Sequence, residues 1–206
     1  MVLVVSVVGC NSDGTASPPT KDTEKTNKIG GVQPSRFDCA SIAPQADLDQ
    51  LLGASARKLD SPASVPDGVA KPCTYEVGTQ PPEYWTFDID CRASMKRTAD
   101  ALFAQYKRTS AELIEQYNGV SDAGIKDVKP DDAGVRPSRV PEPAVEVAVG
   151  AKGLDHHGQG LIFIDDDAPC YVRIVGPDAP RRLELAKMIA KNLTFANAPM
   201  SPRAMP

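Results

Sequence analysis

The central strand of the predicted fold is Tyr84-Trp85-Thr86-Phe87-Asp88-Ile89-Asp90-Cys91. Apolar and polar side chains alternate along it, a period of two that is typical of a strand with one buried and one solvated face. Residues Thr74 to Val77 form a second strand candidate just upstream, and Gly78 to Glu83 supply the turn between the two. The pair therefore predicts a hairpin in an antiparallel sheet.

Three helices are predicted around this hairpin. The longest begins at Ser94, which can cap it, and ends at Asn118-Gly119, because apolar residues recur at spacings of three and four between these points. A short helix lies between Pro44, in its first turn, and Gly53, its stop. A final helix begins at Asp178.

Three further strand candidates lie in the second half of the chain. A proline-rich segment, Val120 to Pro143, separates them from the long helix and is predicted to be a long loop. The strand candidates are Ala144 to Val149, Leu161 to Ile164 and Cys170 to Val175.

These elements together predict a single α+β domain over residues 37–195, a curved antiparallel sheet with helices packed on one face and two disulfides. Residues 196–206 are proline-rich and are predicted to form a flexible tail. The length of 206 residues fits one domain, and the net charge of −4 with a pI near 5.2 argues against a nucleic-acid partner.

The N-terminus carries a possible anchoring motif. Val7-Val8-Gly9-Cys10 is similar to the lipobox of bacterial lipoproteins, in which the cysteine is acylated. Residues 1–9 would then be a shortened signal segment, without the basic residues that usually begin one. Residues 10–36 would form the lipidated cysteine and a disordered tether, because they contain few apolar side chains. The alternative is a cytosolic chain with an apolar N-terminal strand and a buried Cys10.

Four cysteines remain once Cys10 is set aside: Cys39, Cys73, Cys91 and Cys170. An even set fits disulfides in an oxidising compartment, and four cysteines allow three pairings. Our hypothesis joins Cys39 to Cys73 and the other two to each other. The chief rival joins Cys73 to Cys91 across the hairpin. A zinc site is a further alternative, although the chain has no Cys-x-x-Cys pair.

A family resemblance rests on these short motifs. It is carried by the Val-Val-Gly-Cys segment, the polar tether, Cys39 followed by Leu48-x-x-Leu51-Leu52-Gly53, and Cys73-Thr74-Tyr75. This combination resembles the small extracytoplasmic lipoproteins of unknown function that are abundant in actinobacteria. Gly119-Val120-Ser121-Asp122-Ala123 is similar to a segment that follows the long helix in that family. The resemblance covers most of residues 37–193 and implies a location and a fold class, but no catalytic residue.

His156 and His157 are the two histidines of the chain and lie in a glycine-rich segment. A metal site would recruit Asp155 or the run Asp165-Asp166-Asp167, since zinc needs at least three protein ligands. Neighbouring residues of an extended chain point to opposite sides, so both histidines cannot easily reach one ion. We interpret the two histidines as a solvated hairpin tip and the acidic run as a turn, and we expect no metal and no cofactor.

Two further patterns have both a functional and a structural interpretation. Asp88 and Asp90 share one strand face and could act as paired carboxylates, but a solvated face explains them equally well. Trp85, the sole tryptophan, could bind a ligand near the preceding loop, but a strand that continues through apolar residues favours a core position. Trp85, His156 and His157 are the candidate ligand-site residues.

The sequence favours a noncatalytic extracytoplasmic domain that binds a small ligand or an envelope protein. Acyl chains such as palmitate on Cys10 would anchor it to a membrane, at the cell surface or in the periplasm. The first alternative is an envelope hydrolase or metal-dependent enzyme that uses His156, His157 and a nearby Asp. The second is a structural assembly lipoprotein. No catalytic residue is assigned, because the chain has no nucleophile elbow, P-loop or dinucleotide fingerprint.

Overall fold

The computed structural model describes residues 29–53, 55–61, 64–78, 80–124, 142–156 and 158–204. Several sequence-based predictions lie outside these residues. They are the signal segment, the lipidation of Cys10, most of the tether, His157 and residues 125–141 of the predicted loop that precedes the later strands.

The described residues form helices and strands in one α+β domain, as predicted. The helices are α1 (Gln45–Leu52), α2 (Ala93–Gly124) and α3 (Ala179–Asn192), with short 3₁₀ turns at Pro34–Arg36 and Cys39–Ser41. The strands are β1 (Ile29–Gly30), β2 (Ala56–Leu59), β3 (Cys73–Val77), β4 (Glu83–Asp90), β5 (Val145–Val147), β6 (Lys152–His156), β7 (Gly160–Ile164), β8 (Tyr171–Val175) and β9 (Arg203–Ala204).

Seven of these strands form one antiparallel sheet in the order β2-β3-β4-β8-β7-β6-β5. β4 and β8 lie side by side at its centre although α2 and three strands separate them in sequence. The predicted hairpin of β3 and β4 is confirmed, with Tyr75 opposite Trp85. β1 and β9 form a separate two-stranded antiparallel sheet.

The helices lie on both faces of the sheet, so the prediction that they share one face is wrong. β7 shows the reason, since Leu161, Ile162 and Phe163 are all buried although consecutive side chains point to opposite faces. Leu161 and Phe163 belong to a core shared with α1 and α3, whereas Ile162 belongs to a second core shared with α2. A strand of continuous apolar residues needs cover on two sides, and α2 provides the second.

α3 is held on its face of the sheet by a buried ion pair. Asp178 caps the helix by accepting a hydrogen bond from the backbone N–H of Arg181 at 2.8 Å, as predicted. Arg182, in the first turn, is only 4% exposed and donates to both carboxylate oxygens of Asp155 in β6 at 3.0 and 2.9 Å. It also donates to the Gly176 carbonyl at 2.7 Å. These bonds satisfy a charge that would otherwise be costly to bury.

α2 crosses the other face and is fastened to β5 and β6 by polar contacts. Lys152 in β6 pairs with Asp100 at 2.8 Å, and Lys107 pairs with Glu146 in β5. The buried Ser110 hydroxyl accepts from the Ala144 N–H at 2.9 Å and donates to a carbonyl of the same segment at 3.0 Å. α2 therefore has a fixed position over one half of the sheet.

The ends of α2 differ from the prediction. The helix begins one residue before Ser94, so Ser94 does not cap it, and its carbonyl accepts from the Thr98 hydroxyl at 3.1 Å. It continues past Asn118-Gly119 to Gly124. Glycine is common just after the end of a helix, but it also occurs inside helices at a cost of about 1 kcal/mol. A glycine in the sequence therefore indicates a helix end only weakly.

The chain is also ordered beyond the expected domain limits of 37 and 195. The N–H groups of Gly31 and Val32 donate to the carbonyls of Ala196 and Ala198 at 3.1 and 2.9 Å. Ala198 and Met200 are buried, so residues 196–204 pack on the domain where a flexible tail is predicted. Residues 29–32, at the end of the expected tether, thus form backbone hydrogen bonds with the expected tail.

Two strands of the large sheet were not predicted. β2 has a single buried residue in four, and β6 contains Gly153, which weakens the strand pattern. The segment that is predicted to be a solvated hairpin tip therefore contributes His156 to a strand, and Gly158 and Gln159 lie in a turn.

Candidate functional site

A groove of about 340 Å³ lies between the sheet, α2 and the loop before β3. We call it the sheet–helix groove. Val65, Pro66 and Val69 of the loop line one side, and Leu102 of α2 lines another. Its polar part comes from β4, β8 and the start of α2, because these elements meet beside the loop. The groove thus combines apolar walls with a few polar groups, the usual composition of a small-molecule site.

The central strands place the first polar pair by their register. Asp88 in β4 lies directly opposite Arg173 in β8. The Asp88 Oδ2 accepts hydrogen bonds from Arg173 Nε at 3.0 Å and lies 2.9 Å from its terminal nitrogen. Both side chains are about one-third exposed, so the pair borders the groove and does not lie beneath it.

The second pair joins the end of β4 to the start of α2. The guanidinium of Arg92 donates to both oxygens of Asp90, with Nε at 3.0 and 3.2 Å and the terminal nitrogen at 2.7 Å. The Asp90 Oδ1 also accepts from the backbone N–H of Arg92 at 3.0 Å. The hydrogen bond to Asp90 raises the pKa of the Arg92 guanidinium. Asp90 therefore shapes the turn into α2 as well as carrying charge.

Two tyrosines complete the groove. Tyr171 in β8 lies opposite Asp90, and Tyr106 reaches it from α2. Burial raises the pKa of the Tyr171 hydroxyl, and the nearby Tyr106, with which it shares a hydrogen bond, raises it further. The Tyr171 hydroxyl therefore stays neutral at physiological pH, and a tyrosine hydroxyl can donate or accept hydrogen bonds.

The charges that line the described groove cancel. Asp88 pairs with Arg173 and Asp90 with Arg92, so each carboxylate already has a cationic partner. A carboxylate held by arginine is a poor general base, because the ion pair favours its ionised, hydrogen-bonded form. The groove is consequently suited to holding a ligand by packing and hydrogen bonds.

Trp85, a candidate from the sequence, lies on the opposite face of the sheet. Its side chain is fully buried, with Nε1 donating to Glu83 at 3.4 Å and the guanidinium of Arg181 5.2 Å from the ring centroid. A Cβ at Gly176 would overlap the ring, so this position requires glycine. The interpretation of Trp85 as a core residue is confirmed.

His156 is buried in β6 on the α2 face and is not solvated, which corrects the sequence interpretation. Its Nδ1 accepts from the Gly158 N–H at 3.1 Å, and its ring centroid lies 5.9 Å from that of Tyr106. Asp155 points to the other face and binds Arg182, since adjacent strand residues diverge. Within the described residues, no three His, Cys, Asp or Glu side chains form a group that could hold a metal ion.

The sequence pattern indicates only part of the groove. It placed Asp88 and Asp90 on one strand face, and the structure confirms this, but it did not identify Arg92, Tyr106 or Tyr171. The available signal for Arg173 was its place between apolar neighbours in a strand, which puts it on the same face as the two aspartates once β4 and β8 pair. No local sequence pattern predicts the pairing of β4 with β8.

Both hypothesised disulfides are present. Cys39 is bonded to Cys73, and Cys91 to Cys170, with Cα–Cα distances of 5.8 and 4.0 Å. The rival pairing of Cys73 with Cys91 is therefore wrong. Disulfides fit an oxidising, extracytoplasmic compartment. In the part of the chain that the structure describes, no helix combines the length and the apolar character needed to span a bilayer.

The fold and the groove define a small, disulfide-bonded α+β domain of an oxidising compartment. Comparisons of the chain with protein-family models, curated proteins and solved structures found no match.

Proposed function

We propose that this protein is a noncatalytic, lipid-anchored extracytoplasmic domain that binds a small ligand in the sheet–helix groove. The observation that carries the proposal is the lining of the groove, where apolar walls surround charges that are already paired. Such a site offers contact area and hydrogen bonds without a free acid or base.

The lining favours a neutral, amphipathic ligand. Val69 and Leu102 offer apolar surface, and the tyrosine hydroxyls at 106 and 171 offer hydrogen bonds. A charged ligand would have to separate one of the ion pairs, which costs free energy because the released partner loses its hydrogen bonds. A volume of about 340 Å³ is at the lower end of the usual range for small-molecule sites.

A neutral fluorophore, N-phenylnaphthylamine, provides the first test. We expect its emission to rise saturably with one binding site per protein, and to do so much less for Leu102→Trp, which fills the groove. Ala104→Trp is the matched control, because Ala104 is exposed on the same helix and outside the groove. Absence of saturable binding to the wild type, or equal binding to the two variants, would contradict a site in the groove.

The lipid anchor is supported by Val7-Val8-Gly9-Cys10 and by the oxidising location that the disulfides indicate. We expect the wild-type protein in the membrane fraction with the added mass of acyl chains, and Cys10→Ala outside it. If Cys10→Ala stays in the membrane fraction with the mass of the wild type, the anchor is not at this cysteine.

A further inference from the structure

A second cavity, of about 410 Å³, lies at the connection between β7 and β8; it shares Met95 and Tyr171 with the sheet–helix groove, and its other lining residues are different. Three consecutive carboxylates, Asp165, Asp166 and Asp167, line it, and none of its described lining residues is Lys, Arg or His. We call it the acidic cavity. Its charge is therefore unbalanced, unlike that of the groove.

Asp165 is the unusual member of this run because it is only 4% exposed. Its Oδ2 accepts from the backbone N–H groups of Asp167 and Ala168 at 3.1 and 2.6 Å, which fixes the orientation of the carboxyl group. Its Oδ1 is buried and has no hydrogen-bond partner. A buried carboxylate oxygen without a donor is costly, so a donor that reached this atom from the cavity would stabilise it.

The other two carboxylates have different positions. Asp167 Oδ2 accepts from the Phe195 N–H at 3.0 Å, which ties the segment after α3 to the cavity. Asp166 is exposed. The carboxylates do not converge as metal ligands would, since the described residues contain no such group. An inorganic cation is therefore a poorer fit than a cation that needs one buried acceptor.

The remaining wall is apolar. Met95 and Ala99 of α2, Ile164 of β7 and Phe195 line it beside the carboxylates. Arg203 lies over the Phe195 ring, 5.3 Å from its centroid, but is not among the residues that line the cavity. The cavity thus offers one buried acceptor, a negative surrounding and an apolar surface.

We infer that the acidic cavity binds an organic ammonium, with the ammonium group donating to Asp165 Oδ1 and an apolar body packed against Met95, Ile164 and Phe195. The ammonium supplies the missing donor and offsets part of the negative charge, and the apolar body removes the same wall residues from water.

Benzylamine and benzyl alcohol test this inference without any variant. They have the same ring and nearly the same shape, but only benzylamine is cationic at neutral pH. In amide NMR titrations we expect benzylamine to shift the signals of residues 165–168 and of Cys170 saturably, with an affinity at least about tenfold higher than that of benzyl alcohol. Equal affinities, or no saturable shift with benzylamine, would overturn the inference.

Two variants locate the ammonium. With its side-chain oxygen kept as acceptor for the two backbone N–H groups, Asp165→Asn places an NH2 donor at the buried position, and we expect it to weaken benzylamine binding by at least about tenfold. Asp166→Asn removes the same charge from an exposed neighbour, and we expect a change within about threefold. If both variants weaken binding equally, general charge and not the buried oxygen holds the ligand.

The two sites are separable by experiment. Asp165→Asn should leave N-phenylnaphthylamine binding in the sheet–helix groove unchanged, and Leu102→Trp should leave benzylamine binding unchanged, because neither residue lines the other site. Failure of one site in these assays therefore says nothing against the other.

Discussion

Replacement of Asp165 by Asn should make the domain more stable at neutral pH and remove a specific part of its pH dependence. Burial raises the pKa of the Asp165 carboxyl from 3.8 to about 6. The hydrogen bonds from Ala168 and Asp167 oppose this rise, and the neighbouring charges of Asp166 and Asp167 add to it. The folded protein therefore holds the Asp165 proton at pH values where the unfolded chain has released it.

The sign and size of the effect follow from proton linkage. Between about pH 3.8 and pH 6 the folded state binds more protons at Asp165 than the unfolded state, so the free energy of unfolding falls as the pH rises. Each pH unit between the two pKa values corresponds to about 1.4 kcal/mol, which gives a full cost of about 3 kcal/mol above pH 6. Asp165→Asn has no such proton to lose.

The measurement is urea unfolding of both proteins across this pH range, followed by the fluorescence of Trp85. This residue is the only tryptophan and is fully buried, so its emission reports unfolding directly. The unfolding free energy of Asp165→Asn minus that of the wild type should rise by about 3 kcal/mol from pH 3.5 to pH 7.5. Other titrating groups are common to both proteins and largely cancel in this difference.

Asp166→Asn is the control for charge alone. It removes one of the charges that raise the pKa of Asp165, so we expect only a small part of the effect. A difference between Asp165→Asn and the wild type that stays constant with pH would refute the reasoning, and so would one of opposite sign. Either result would mean that the carboxyl is as well solvated in the folded state as in the unfolded chain.

Two other perturbations test the structure. Replacing Cys91 and Cys170 by Ser should lower the unfolding free energy by about 4.5 kcal/mol, a value that the chain-entropy model gives for a separation of 79 residues. A loss below about 1 kcal/mol in urea unfolding would show that this bond is not formed. Asp155→Ala should lower the unfolding free energy by about 3 to 5 kcal/mol, because Arg182 then keeps a buried charge without its partner. In the same assay, the double variant Asp155→Ala, Arg182→Met should recover part of this loss. No recovery would contradict this explanation.

The features that could be predicted from the sequence are those with a local cause. Alternation marked β3 and β4, the aspartate before Pro180 marked the start of α3, and the even set of cysteines indicated two disulfides. In each case the residues that determine the feature are neighbours, or have a chemistry such as thiol pairing that leaves few alternatives.

The features that could not be predicted depend on contacts between distant segments. Gly153 interrupts the strand-like sequence pattern of β6, and the strand is stabilised by pairing with its neighbours β5 and β7. β1 pairs with β9 from the other end of the chain, and neither two-residue strand has a pattern of its own. The face that α2 covers depends on which side of the sheet remains apolar. That side can be identified only once the position of β7 in the sheet is known.

Both proposed sites belong to this second group, and one local feature explains where they lie. Cys91 follows the last residue of β4 and lies two residues before α2, and Cys170 immediately precedes β8, so their disulfide lies close to the starts of the two elements that contribute to both cavities. Met95 and Tyr171, which line the groove and the acidic cavity alike, lie four residues and one residue beyond these cysteines. The bond therefore restricts the separation of α2 from the sheet at the point where both cavities meet. The cysteine count, readable from the sequence, thus constrains sites whose own residues carry no recognisable motif.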